Sequence, residues 1–423
     1  MDAGRVLDDL RELARLTGGP DGARRVCWTD EWTRARELLR ARLDELPVEV
    51  SIDPAANLWA DLPGEREGFV IVGSHSDSVP AGGWLDGALG LFAAVGVLRA
   101  HVDAPPPVGL RLVDWADEEG ARFGRSLFGS SACAGTLDVD EVRDLRDREG
   151  ERLEDVVARY DVDLARVHEA GSRLTGAHAY LELHIEQGPV LESRGEPAAT
   201  VLGTCGVERH VAVFTGQAAH AGATPMRLRR DSFAAAARAA LAIREVGLQH
   251  EGGVCTVGGA TSEPGVVTAV AGRTEMLLDQ RHLDPDELAA MLSEARAACD
   301  RAAAEHGCEV QLEHLWSIPP IPFDERLIAL AREAVHDAGG KDTALPSGPL
   351  HDAAEMARLI PTVMIFSSSS PPVSHTKEED TPEADLRVAI EAYGRTVEAA
   401  LAAAASGELP AFEGIRGVAS RPD

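Results

Sequence analysis

No stretch of the 423 residues is long and apolar enough to cross a membrane, which argues against an integral membrane protein. The opening residues, "MDAGRVLDDLRELARLTGG", lack the apolar core of a signal peptide. Cysteine is scarce and scattered: Cys27, Cys133, Cys205, Cys255, Cys299 and Cys308 form no close pair, so neither a disulfide framework nor a zinc–thiolate cluster is expected. A reducing cytoplasm is the location these features imply. Positive charge is also short, with 41 Lys and Arg against 70 Asp and Glu and a formal net charge of −29. That excess repels nucleic acid and anionic membranes and favours solubility, but leaves the sign of a local pocket open. Internal repeats are missing, and only Ala402–Ser406 is of low complexity.

What is present is enough chain for two domains. Apolar runs with few interior charges predict strands at Phe69–Gly73, Val108–Trp115, Ala179–Ile185 and Pro361–Phe366, as in a parallel sheet covered on both faces. Helices are expected at Ala88–Ala100 and Arg326–Asp337. Between Arg209 and Ser317 the rhythm changes. A strand "RHVAVFTG", a helix Asp231–Val246, the strands "GGVCTVGGATS" and "RTEMLLDQRH", a helix Pro285–His306 and a strand "CEVQLEHLW" follow in turn. This β-α-β-β-α-β order is the split-βαβ pattern of a small two-layer domain. The expected class is therefore α/β: a catalytic domain with a mostly parallel central sheet (residues 1–208 and 321–423) and an inserted ferredoxin-like lid or dimerisation domain (209–320). The charged segment Asp138–Ala170 is expected to form solvated helices with a structural role only.

The unusual polar residues fall at strand ends. His75 follows the first strand, Glu118 and Glu119 the second, His184 closes the third, and His375 comes after the fourth. Ligands of open α/β sheets collect outside the carboxyl ends of strands. Four strands would thus deliver these groups to one edge, with Asp86 entering from the glycine-rich loop "GSHSDSVPAGGWLDGALG". Singly, each has a plain reading: a loop histidine caps or faces solvent, "DEE" starts a helix or a solvated turn, and His184 satisfies its hydrogen bonds in the core. Jointly, imidazoles and carboxylates are the donor set of zinc, manganese and similar ions. One carboxylate can bridge two ions about 3.5–4 Å apart, as in two-metal hydrolytic sites.

The stretches "GSHSDSVPAGGWLDG", "DEEGARFGRSLFGS", "LELHIEQGPVLE", "GQAAHAGATPMRLRRD", "LDQRH" and "SHTKEED" together resemble the M20-type metallopeptidase clan. Within it they are similar to the branch of N-carbamoyl-L-amino-acid hydrolases, allantoate amidohydrolases and β-ureidopropionases; "HIEQGP" and "HAGATPM" are the branch-specific pieces. The resemblance runs over nearly the whole chain in the same motif order. It implies two divalent ions, zinc or manganese with cobalt as an option. Asp86 would bridge them, His75 and His184 would complete one site, and Glu119 and His375 the other. It further implies Glu118 as general base, Asp77 as the group orienting His75, and His220 as an oxyanion donor. Arg281 would hold a substrate carboxylate, for which a guanidinium fork suits better than an ammonium, and Gln187 would contact the ureido end. The plain alternatives are a strand-end salt bridge for Arg281 and a Gly/Ala-turn position for His220. A homodimer formed through the lid and a small ureido or N-acyl amino-acid substrate are implied as partners.

Three positions depart from the family pattern. Thr268 stands where an Asn is usual, in "EPGVVTAVAG", and offers a hydroxyl in place of an amide. "SGPLHDA" carries Leu350 for a glycine ahead of His351, which is expected to contact substrate, and "PVSH" places Pro372 and Val373 in the approach to His375. The proposed ion ligands are intact while substrate-side positions differ. The reading is therefore a binuclear amidohydrolase of the carbamoyl or ureide type. An N-acyl amino-acid deacylase or dipeptidase is the rival enzyme, and a catalytically silent binding protein is the alternative of another class.

Overall fold

Val70, Ile71 and Val72 are completely buried, and alternate residues of the run enter different cores. Val70 and Val72 join one apolar cluster and Ile71 the other, the outcome of a period-two strand covered on both faces. In the computed structural model, which describes residues 1–414, this strand spans Arg66–His75 at the centre of a mixed sheet. Val108–Trp115 and Ala177–Ile185 flank it in parallel, and Thr362–Ser367 continues parallel to the latter. Antiparallel strands adjoin these four: Leu58–Leu62 and Glu49–Ile52 on one side, Ala198–Thr204 on the other. The four central strands thus run the same way, and their carboxyl ends share one edge.

Helix Ala88–Ala100 follows the expected bounds, and residues Ala88 to Leu98 are all buried. It packs on Arg66–His75 and Ala177–Ile185. A helix apolar all round must lie inside a core, and burying each Val, Leu or Phe contributes roughly 1.5–3 kcal/mol. The strand ends are therefore fixed by the interior rather than by the loops they carry. The segment Asp138–Ala170 corrects the expectation of solvated helices. Its helical pieces are short, Val139–Val142 and Leu153–Val157. Val142, Leu153, Val156, Val157, Leu164, Val167 and Ala170 enter the core on the Ile71 side. Most of its charges stay at the surface around apolar anchors, with Asp147 buried against Arg122, which composition alone conceals.

The chain forms two compact units, Met1–Leu202 with the part from Phe323 onward, and Gly203–Pro322. The second is a four-stranded antiparallel sheet in the order Val254–Glu263, Arg273–His282, Gly206–Thr215, Glu309–Ile318. Helices Ser232–Gln249 and Pro285–Glu305 cover one face. Small residues (Ala235, Ala236, Ala239, Ala295, Ala298, Ala302) let both helices approach Ala212, Phe214, Met276 and Leu278 closely. Asp231 and Asp284 cap the two helices through their carboxylates, and Pro285 occupies a first-turn position where no amide is needed. The strand Gly206–Thr215 starts before the expected Arg209 because Gly206, Val207 and Glu208 pair with His282, Arg281 and Gln280. All six cysteines are free. Among the described residues no helix is long and apolar enough to cross a membrane.

Candidate active site

The loop after Arg66–His75 turns back under its own strand. Gly87 adopts φ +64, and a Cβ there would lie 2.4 Å from His75 Cε1, so this position requires glycine. The turn brings Asp86 to the end of His75: His75 Nε2 is 3.6 Å from Asp86 Oδ1 and 3.7 Å from Glu118 Oε2. The other ring nitrogen of His75 faces Asp77, 3.3 Å from its Oδ1. Asp77 also accepts the backbone N–H groups of Glu118 at 3.3 Å and Glu119 at 3.2 Å, so it joins two strand ends. The neighbouring Asp117 takes φ +55, and its carboxylate accepts Trp28 Nε1 at 2.9 Å. That bend aims Glu118 and Glu119 inward.

His184, at the end of Ala177–Ile185, directs Nδ1 to the Ile185 carbonyl at 3.0 Å. In the neutral ring Nδ1 therefore carries the proton and the lone pair of Nε2 is turned to Asp86, 3.2 Å from its Oδ1. Nε2 is buried and makes no hydrogen bond. On the opposite side of Asp86, His375 Nε2 lies 3.6 Å from Oδ2 and 3.4 Å from Glu119 Oε2. Among the described residues three groups can hold an ion: His75–Asp86–His184, Asp86–Glu119–His375 and Glu182–His184–His351. The third shares His184 with the first, and both oxygens of Glu182 already accept hydroxyl protons, from Ser74 at 2.8 Å and Tyr180 at 3.0 Å. The first two groups are joined through the two oxygens of Asp86.

The pKa values of Glu118, Glu119, His75 and His184 are raised, and that of Asp86 is lowered. Burial pushes Glu118 well above the usual carboxylate range; Asp352 and Glu119 add to this, and His75 opposes it. Burial, then Asp86, does the same to Glu119. Burial would lower the pKa of His75, but Glu118, Asp77 and Asp86 outweigh it and raise that pKa well above the ordinary value. His184 is raised likewise, against burial, chiefly by Asp86. Burial would raise Asp86, yet His184, His75 and His375 hold it below the usual range. A cluster that draws protons onto Glu118, Glu119 and two histidines while Asp86 stays ionised is a negative cavity, and a bound cation would relieve it. With the orphaned Nε2 of His184 and the all-nitrogen-and-oxygen donor set, the residues fit divalent ions.

Glu182, Arg25 and Glu379 were not foreseen. Glu182 stands two positions before His184, hence on the same strand face, and that spacing was a usable signal. Arg25 is completely buried behind the loop; its Nε donates to the Ser76 carbonyl at 2.9 Å, and its backbone N–H to Ser78 Oγ at 3.1 Å. Both terminal guanidinium nitrogens are buried without a hydrogen-bond partner. Burial pulls its pKa below the usual guanidinium value while Asp86, Asp77, Glu379 and Glu119 pull it up, and the group stays cationic. Trp84 is half-buried against the core and donates Nε1 to Asp380 at 3.1 Å. Glu379 is buried beside the Asp86 loop.

Other expected residues have these surroundings. Gln187 Nε2 donates to Asp86 Oδ2 at 2.8 Å and Ser374 Oγ at 3.1 Å, and its Oε1 is buried without a partner. The opposite amide orientation would set two acceptors together, so this one is required. His351 is buried with its ring centroid 4.3 Å from that of His184; burial, then His184, hold its pKa well below the ordinary value, and it is neutral. In the second unit, His220 is exposed, and its Nδ1 accepts N–H from Gly222 at 3.1 Å and Ala223 at 3.2 Å. Its proton therefore sits on Nε2. Thr268 is exposed and close by: Ala219–His220 pairs with Ala269–Val270, and the Thr268 carbonyl accepts from Ala221 at 2.9 Å. Arg281 grips Asp279 through two nitrogens, Nε at 2.8 Å and the second at 3.2 Å. Arg209 shares the same carboxylate at 2.8 Å.

Comparison with known proteins adds to this geometry. The family model described as "Peptidase family M20/M25/M40" matches residues 71–399. An N-carbamoyl-L-amino acid amidohydrolase of Geobacillus stearothermophilus is 35% identical over 404 residues, covering 93% of this chain and 97% of the relative. An allantoate amidohydrolase of Bacillus subtilis is 30% identical, covering 92% and 95%. The crystal structure of a hydantoinase/carbamoylase family amidase from Burkholderia ambifaria superposes with a TM-score of 0.86 at 32% identity, over 95% of this chain and 98% of that one.

Proposed function

This chain belongs to peptidase family M20/M25/M40, and on that premise we propose that it is a hydrolase of carbon–nitrogen bonds other than peptide bonds. Its substrate would be an N-carbamoyl or ureido amino-acid-like compound, and it would use two divalent ions. The observation that carries this reading is Asp86, whose two oxygens face two different ligand groups. His75 and His184 would hold one ion with Asp86, and Glu119 and His375 the other; zinc, manganese and cobalt all suit such donors. When bound, the ions supply Lewis acidity and make water a nucleophile at neutral pH. Glu118 takes a proton from the attacking water and delivers it to the departing nitrogen, the task of a buried carboxylate with a raised pKa. Asp77 fixes the ring of His75 through its second nitrogen. For the second unit we assign oxyanion stabilisation to the Nε2–H of His220 and carboxylate recognition to Arg281. Gln187 through its free Oε1, His351 and Thr268 are assigned to substrate recognition.

A release assay tests this on N-carbamoyl-, N-formyl- and N-acetyl-amino acids, a dipeptide and allantoate. Ureido substrates are expected to exceed acetyl and peptide ones in kcat/KM by about tenfold or more, within the range a pocket contact supplies. Preference for N-acetyl compounds or dipeptides would replace this reading with that of a deacylase. In the same panel Thr268→Asn is expected to change the ranking of substrates with little effect on the ion content.

We also propose that two copies pair through the second unit. Val254–Glu263 is an edge strand, and the helix packed on it, Ser232–Gln249, exposes Phe233, Leu241 and Leu248 along one face. Open backbone groups beside an apolar stripe suit an antiparallel copy of the same surface. Sedimentation should give a dimer for the native chain and a monomer for the Leu241→Asp, Leu248→Asp double variant. A double variant that sediments as the native dimer would move the interface elsewhere.

A further inference from the structure

One buried carboxylate beside the site has no part in the chemistry assigned above. Glu379 lies in the same loop as His375, and it is 1% exposed. Its Oε1 accepts the backbone N–H of Asp86 at 3.1 Å and that of Leu85 at 3.4 Å. Its Oε2 accepts the hydroxyl of Ser374 at 2.8 Å. Ser374 Oγ in turn lies 3.2 Å from Asp86 Oδ2 and accepts from Gln187 Nε2 at 3.1 Å. One side chain therefore joins the backbone of Asp86 to the residue preceding His375, across 293 residues of sequence. The adjoining pair repeats the link, since Asp380 accepts from Trp84.

The surroundings are shaped for this join. A Cβ on Gly83 would lie 2.0 Å from Glu379 Oε1, so the loop admits the carboxylate only because Gly83 has no side chain. His375 needs outside support. Its side chain is 52% exposed and its φ is +58, a left-handed conformation that a non-glycine residue adopts only at a cost. Nothing in that backbone state would keep the imidazole opposite Glu119 unless the loop were tied from behind.

We infer that Glu379 is a positioning residue, a clamp that sets the separation of Asp86 and His375 and so builds the second ion-binding group. The inference rests on the two-ion reading above. Equilibrium dialysis of the full chain against Mn²⁺, with the ion content measured, tests both. The native chain is expected to take up two ions. Glu379→Ala is expected to weaken one of them about 10–100-fold, the usual effect of removing a partner behind a ligand, and to leave the other unchanged. Glu379→Gln, which can still accept the amides and meet Ser374, should recover most of the loss. Gly83→Ala should copy Glu379→Ala, and the two together should be no worse than either, because they remove one interaction. Ser374→Ala, which removes the hydroxyl shared by Glu379, Asp86 and Gln187 but leaves both bonds from Glu379 to the backbone, should weaken the same ion, and by less than Glu379→Ala.

The outcomes separate. If the native chain binds two ions and Glu379→Ala binds both with native affinity, the clamp is wrong and the two-ion reading stands. Equal weakening of both ions, with a lower melting temperature of the chelated protein, would make Glu379 a general loop stabiliser and overturn the inference. A native chain that takes up a single ion would overturn the two-ion reading, and the clamp with it.

Discussion

Glu118→Gln is expected to lower turnover of an N-carbamoyl amino acid about 10²–10⁴-fold, the range of a general base, with the ion content unchanged. The substitution keeps size and shape. The backbone N–H of residue 118 stays on Asp77 Oδ1, so the side chain remains where it is. Glu118 belongs to neither of the joined ligand groups, which explains why ions should stay. An amide cannot take the proton, and its loss should appear in kcat far more than in KM. Initial rates and ion content on the same preparation decide the matter. A variant with native rate would pass the role to another buried acid, with Glu119 and Asp352 nearest in their electrostatic influence.

Chelation should produce the second large effect: loss of activity together with a stability that declines as pH rises. Burial, then Asp77, pushes the Asp117 carboxyl up to about 8, and burial, then Asp86, pushes Glu379 up to about 7. Both folded-state values exceed those of the unfolded chain, near 4. Between those limits the folded state binds more protons than the unfolded one, so stability falls with increasing pH. The contribution is complete below about pH 4 and is lost as the pH passes through 7 and 8. His75 and His184, also raised, act in the same sense. Thermal melts with chelator should therefore show a lower midpoint at pH 8 than at pH 6. Divalent ions should raise the midpoint and flatten the slope, because they replace the protons. A chelated protein more stable at pH 8 would mean that the cavity is not the negative one described.

Much of this was readable from the chain because two signals are local. Val108–Trp115 and Ala88–Ala100 follow from apolar runs, and the strand–helix alternation places His75, Glu118, Glu119 and His184 at strand ends. The remainder depends on contacts between distant segments. Arg24 and Arg25 are adjacent and identical in type, yet Arg24 is exposed and Arg25 is sealed behind the site. No periodicity separates them; docking of Gly22–Ala23 against Ala81 and Gly82 does. Glu378 and Glu379 pose the same problem, since only Glu379 meets the Asp86 amide. In Asp138–Ala170 charge outnumbers the apolar anchors, so composition pointed to solvent where spacing would have pointed to the core.

The order in which the proposed ligands occur along the chain has a consequence for how the protein is made. His75, Asp86 and His184 all precede the second unit, whereas His375 follows it. Synthesis from the amino end thus delivers one complete trio early, and the other waits until Gly203–Pro322 has emerged and the strand Thr362–Ser367 can dock beside Ala177–Ile185. On the two-ion reading a growing chain would meet its first ion before its second, and half-loaded protein would be expected during translation. On that reading the nitrogen-rich trio would be sampled first and would capture the metal abundant at that moment.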